Sequence, residues 1–133
     1  MLLDLSDRSA ETLQQQIARQ VRARVLSGEL EAGVELPSIR GLARQVRVSV
    51  ITVSRAYEQL VREGVIHPRR GKGYYVSPIT QERKTDMALD RFAEQLQTLV
   101  GSALDEGLTA AAVRHALEAT LSQRRAESEA GAR

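Results

Sequence analysis

The 133-residue chain contains no cysteine and no tryptophan, one phenylalanine and three tyrosines. Without cysteine there are no disulfides, no thiol chemistry and no thiolate-bound zinc, which fits a reducing, cytoplasmic setting. With aromatics at 3% there is no stacking platform for bases or sugars, so a core must come from Leu, Val, Ile and Ala. The two histidines, His67 and His115, stand too far apart to mark a metal site, and neither a metal nor a cofactor is expected. No apolar run approaches the ~20 residues of a membrane span. The opening MLLDLSDRSAET also lacks a basic region followed by an apolar stretch, so no membrane association is expected. There is no nucleophile–base set either, which argues against an enzyme.

What the chain does have is positive charge in one place. The formal net charge is only +2. Residues 1–78 carry 12 Lys and Arg against 8 Asp and Glu, whereas residues 79–133 carry 7 against 9. Between Ser38 and Val76 the count is 8 basic to 2 acidic. Such a local excess is the electrostatic footprint of a polyanion partner, the plainer alternative being a solvated Arg-rich face.

Leu13, Ile17, Val21 and Val25 recur every fourth residue and predict an amphipathic helix ended by Gly28. A loop comes next, with a short extended piece at Val34–Leu36 closed by Pro37. Ser38 offers the capping hydroxyl for a short second helix whose apolar face is Ile39, Leu42, Ala43 and Val46. Arg47–Val48 breaks the period, and Ser49 caps a third helix with Val53, Ala56, Tyr57, Leu60 and Val61 facing inward. Two strand-like runs, Val65–His67 and Tyr74–Val76, flank a tip that includes Arg69-Arg70-Gly71-Lys72-Gly73 and predict a basic hairpin. Tyr57 is expected to fill the core beneath this hairpin. Beyond Pro78, the spacing of Leu89, Phe92, Leu96 and Leu99 is that of a helix pairing along a seam. Gly107 ends it, and Thr109 caps a last helix carrying Val113, Leu117 and Leu121 on one face. Residues 123–133 have almost no apolar content and are expected to be frayed or disordered.

The predicted fold class is therefore mainly α with a small β-hairpin wing. Two short helices joined by a tight turn have helix-turn-helix geometry. With Ala43 at the crossing point, Leu42, Val46, Val48, Val53 and Ala56 fall where apolar side chains are required. Arg47 stands in the turn, where Gly commonly supplies a positive φ, and a non-Gly residue there costs on the order of 1 kcal/mol.

These residues resemble the winged helix-turn-helix domain of the GntR family of bacterial transcription regulators, over 11–78. The resemblance rests on QI at Gln16–Ile17, SGEL-x-x-G at Ser27–Gly33, LPS-x-R at Leu36–Arg40 and LA at Leu42–Ala43. It continues through VS at Val48–Ser49, TV at Thr52–Val53, AY at Ala56–Tyr57, EG at Glu63–Gly64 and GKG at Gly71–Gly73. The short helical part at 79–122 looks like that of the YtrA subfamily and implies a dimerisation region. Carried over by position, the resemblance implies DNA contacts at Arg40, at Ser49, Val50, Ile51 and Thr52, at Arg55, and at wing residues Gly71, Lys72 and Gly73. Arg70 adds charge at the wing. The departures are Gly41 for a usual acidic residue, Arg47 for Gly, and Val50-Ile51 where polar or basic residues are common.

Each assignment also has a physical reason and a plainer competitor. Arg40 can fork onto a phosphate or a guanine edge, or it can form a surface ion pair. Ser49 and Thr52 sit at the positive end of a helix, which suits phosphate, although capping alone would explain them. Val50 and Ile51 can meet thymine methyls, or one can fold back over Tyr57 or the first helix. Gly71 and Gly73 let the wing approach a minor groove, where the alternative is a solvated hairpin. His67 is a strand residue rather than a ligand.

The resulting expectation is a repressor that binds an inverted-repeat operator in double-stranded DNA. It would act as a homodimer held by Leu89, Phe92, Leu96, Leu99, Val113, Leu117 and Leu121. The alternative is a winged-helix protein-interaction module. About 55 residues in two helices hardly enclose a cavity of several hundred Å³, so any small-molecule control is expected to be weak or indirect.

Overall fold

Short hydroxyl side chains cap helix starts, and Ser38, Ser49 and Thr109 are the ones the sequence predicts. In the computed structural model, which describes residues 1–132, Thr12 caps α1 (Leu13–Leu26). Its side chain accepts from the Gln15 backbone and the Gln15 side chain accepts from the Thr12 backbone, forming a capping box. Ser38 caps α2 (Ile39–Val46), and Ser49 caps α3 (Val50–Arg62). The chain then forms an antiparallel hairpin of β1 (Ile66–Arg69) and β2 (Gly73–Val76), with Ile66 opposite Val76. Helix α4 spans Gln81–Asp105, and Thr109 caps α5 (Ala110–Gly131).

The chain divides into two units after Met87. In the first, α1 and α2 both pack on α3, which also meets β1. The core combines Ile17, Val21 and Val25 of α1, Leu42 and Ala43 of α2, and Val53, Ala56, Tyr57 and Leu60 of α3. Val65, Ile66 and Val76 close it from the hairpin side. The inward faces expected from periodicity are the faces that are buried.

Two connections lock the α1–α2 linker in place. Gly33 N–H donates to Val76 O, Val76 N–H to Val34 O and Leu36 N–H to Tyr74 O, each at 2.9 Å, so the linker runs beside β2 as a third extended piece. The buried Tyr57 hydroxyl donates to Pro37 O at 2.7 Å, and its ring meets Tyr74 edge-on at 5.0 Å. Burial first, and Tyr74 second, push its phenol above the usual range, so it stays protonated and keeps donating.

In the second unit none of the described residues of α4 or α5 is fully buried. Gly107, at φ 93, ends α4. The expected disordered tail needs correction, because α5 continues through Gly131. Ala, Gln, Arg and Glu are strong helix formers that need no core, and Arg124 pairs with Glu127 at 3.5 Å within this stretch. Arg133, the end of that expected tail, lies outside the described residues. Among the described residues no helix is long and apolar enough to cross a membrane.

Candidate nucleic-acid interface

The turn between α2 and α3 is made by Arg47, which sits in the left-handed region at φ 58. Its N–H and that of Val48 both donate to Ala43 O, and the chain reverses within two residues. Ser49 can then start α3 at once. Its Oγ accepts from Thr52 N–H at 3.1 Å and lies 2.7 Å from Thr52 Oγ1. Both hydroxyls therefore serve the helix start, which leaves them at its positive end. Val50 and Ile51 are 46% and 62% exposed, so neither is folded back into the core.

The cationic side chains sort into two groups. On α1, Arg19 pairs with Glu11 at 2.9 Å, Arg22 with Glu63 at 2.6 Å and Arg24 with Glu29 at 3.7 Å. On α2, α3 and the wing tip the pattern is the opposite. Arg40, Arg44, Arg47, Arg55, Arg70 and Lys72 are exposed, and among the described residues their side chains have no hydrogen bond or ion pair. The competing view of Arg40 as half of a surface ion pair does not hold. Each of these cations keeps its full set of donors for an outside anion.

Arg44 was not among the residues singled out from sequence. No family motif points to it, but a local signal exists. Positions one turn away on either side are Arg40, Gly41, Arg47 and Val48, so no carboxylate is within helical reach to neutralise it.

The wing closes through Lys72 N–H donating to Arg69 O at 2.9 Å, with Gly71 at φ 74 and Gly73 at φ 108. Glycine is required at both, and its lack of a side chain lets the tip backbone approach a surface closely. The Arg69 guanidinium lies 4.2 Å from the centre of the Tyr75 ring and stiffens the hairpin, while Arg70 and Lys72 remain free at the tip. His67 is a strand residue whose Nδ1 meets Ser77 Oγ at 3.1 Å. Among the described residues no cluster of His, Cys, Asp and Glu could hold a metal ion.

In the second unit, Leu89, Phe92, Leu99, Leu117 and Leu121 are exposed, whereas Leu96 and Val113 are half-buried. Phe92 and Leu99 show 51% and 68% of their surface. Leu104 and Leu108, which the spacing argument left out, are also exposed.

Comparison with known proteins agrees with this architecture. The family profile described as "Bacterial regulatory proteins, gntR family" matches residues 13–76. The chain is 33% identical over 99 residues to the HTH-type transcriptional repressor YtrA of Bacillus subtilis (strain 168), covering 74% of this chain and 76% of that protein. Among solved structures it is similar to a transcriptional antiterminator from Listeria monocytogenes EGD-e. There the TM-score is 0.74 at 26% identity, over 93% of this chain and 92% of that one. It is likewise similar to YtrA from Sulfolobus acidocaldarius, a GntR-family transcription factor, with a TM-score of 0.55 at 26% identity over 91% and 97% of the two chains. With its winged helix-turn-helix and short helical second unit, the chain belongs to the gntR family of bacterial regulatory proteins, as a YtrA-like DNA-binding transcription regulator.

Proposed function

We propose that the chain is a repressor that binds an inverted-repeat operator as a homodimer and keeps RNA polymerase off the promoter. The observation that carries this is the set of exposed cations without an ion pair among the described residues, Arg40 on α2, Arg55 on α3, and Arg70 and Lys72 at the wing tip, together with the exposed start of α3. In this reading Arg40 takes a phosphate or a guanine edge, and Arg55 reads the groove one turn along α3. Ser49 and Thr52 hold the positive helix end to a phosphate, with Val50 and Ile51 against base edges. Gly71 and Gly73 admit the wing to a minor groove, where Arg70 and Lys72 supply charge. The mechanism is occupancy of DNA, with no catalytic step, in the cytoplasm where bacterial DNA lies.

Support for the dimer comes from the second unit. Leu89, Phe92, Leu96 and Leu99, with Val113, Leu117 and Leu121, leave apolar surface that one chain does not cover. A two-fold partner would cover it, and reading an inverted repeat in successive major grooves calls for two recognition helices about 34–36 Å apart, one turn of DNA. The Leu96→Asp, Leu99→Asp double variant tests this. Sedimentation should show monomers, and affinity for a two-half-site operator should fall roughly a hundredfold as the second contact becomes intermolecular. A stable dimer in that variant would place the interface elsewhere.

A further inference from the structure

Residues 1–6 have no regular secondary structure, yet side chains of α1 hold them in a ladder. Gln16 accepts from Ser6 N–H and donates to Ser6 O, both at 2.8 Å. Gln20, one turn further, accepts from Asp4 N–H at 2.8 Å and donates to Asp4 O at 2.6 Å. Arg24, a turn beyond that, donates to Leu2 O. Residues 6, 4 and 2 are thus matched to 16, 20 and 24. The two repeats agree because two extended residues advance about 6.6 Å and four helical residues about 6.0 Å. A glutamine amide offers the same donor and acceptor as a peptide group, so each clamp stands in for a neighbouring strand.

The alternation packs Leu3 and Leu5 against the core and leaves Leu2, Asp4 and Ser6 exposed. Gln16 is 2% exposed and gives its remaining donor to Glu11 O at 3.0 Å. This accounts for the Gln of the QI landmark, to which no DNA contact is assigned. The strap then crosses to the other helix, where Met1 O accepts from Gln45 Nε2 of α2 at 3.1 Å. Helices α1 and α2 each pack on α3 more closely than on each other, and the strap adds a tie between them.

We infer that Gln16, Gln20 and Gln45 are positioning residues for DNA binding. Through the strap of residues 1–6 they fix α2, and with it Arg40 and Arg44, without touching DNA themselves. This rests on the interface proposed above. The test uses the full chain, a duplex that the unaltered chain selects from random-sequence DNA, and an unselected duplex of equal length. Amide exchange by NMR should show Asp4 and Ser6 protected and Leu3 and Leu5 unprotected, with Gln20→Leu accelerating exchange at Asp4 about tenfold. Gln45→Met keeps side-chain length but removes the tie to Met1. It should cut affinity for the selected duplex about tenfold, the loss expected for a hydrogen bond and the order it imposes. Affinity for the unselected duplex and the melting temperature should hardly move. Undiminished preference for the selected duplex in both variants would overturn the inference, and so would equal losses on the two duplexes, which would make the strap a purely structural tie. Failure of the DNA-binding reading looks different, since the unaltered chain would then prefer no duplex at all.

Discussion

Val50 and Ile51 present methyl groups where readers of base edges commonly present hydrogen-bonding groups. The only apolar feature of the major groove is the thymine methyl, so half-sites should carry T opposite these residues. Exchanging those thymines for uracil removes the methyls and leaves pairing and phosphates intact. Binding should weaken by about 1 kcal/mol per contacted methyl. A Val50→Ala, Ile51→Ala variant should be indifferent to the exchange, and equal sensitivity in both proteins would rule out methyl reading. Arg47 shows how far a single residue can be read from sequence. Its place in the turn predicts a positive φ, and the chain adopts φ 58 there. The cost, on the order of 1 kcal/mol, is absorbed by the α2–α3 packing of Leu42, Ala43, Val53 and Ala56. Arg44 was not singled out because its importance lies in the absence of partners, and motifs do not record absences.

Helices and their buried faces were legible because hydrophobic period and capping residues are local signals. Ties between distant elements were not. Arg22 lies outside the Leu13, Ile17, Val21, Val25 stripe of α1, yet it is buried and holds Glu63, the C-cap residue of α3, through Nε at 2.6 Å and an outer nitrogen at 2.9 Å. Gln59 also donates to Glu63 at 3.1 Å. The partner lies far along the chain, and helical periodicity carries no information about it. This pair sets the far end of the recognition helix against α1. Arg22→Ala should destabilise the fold by about 3 kcal/mol, the low end for a broken buried pair, because Gln59 still satisfies part of the carboxylate. Urea unfolding checks this, and a loss below about 1 kcal/mol would mean the pair behaves as a surface bridge. The strap was missed for a related reason. Leu3-Asp4-Leu5-Ser6 does alternate, but its hydrogen-bonding partner is a row of side chains, which no strand pattern anticipates. The helical end of α5 was missed because low hydropathy argues against a core, not against helix formation.

The excess of cations lies in the helix-turn-helix and wing, where Arg40, Arg44, Arg47, Arg55, Arg70 and Lys72 have no ion pair among the described residues, and most of the exposed leucines lie in the second unit. The two surfaces differ in kind, one suited to a polyanion and one apolar. The charge asymmetry was readable from the sequence alone, whereas the sorting of paired from unpaired arginines required the fold. That sorting can be tested through the salt dependence of binding to the selected duplex, measured for the unaltered chain and for Arg40→Ala, Lys72→Ala. If these cations meet phosphates, log affinity falls linearly with log salt, by about 0.9 per phosphate neutralised, and the double variant flattens the slope by about one for each lost contact. An unchanged slope in the double variant, or binding indifferent to salt, would contradict DNA recognition through these side chains.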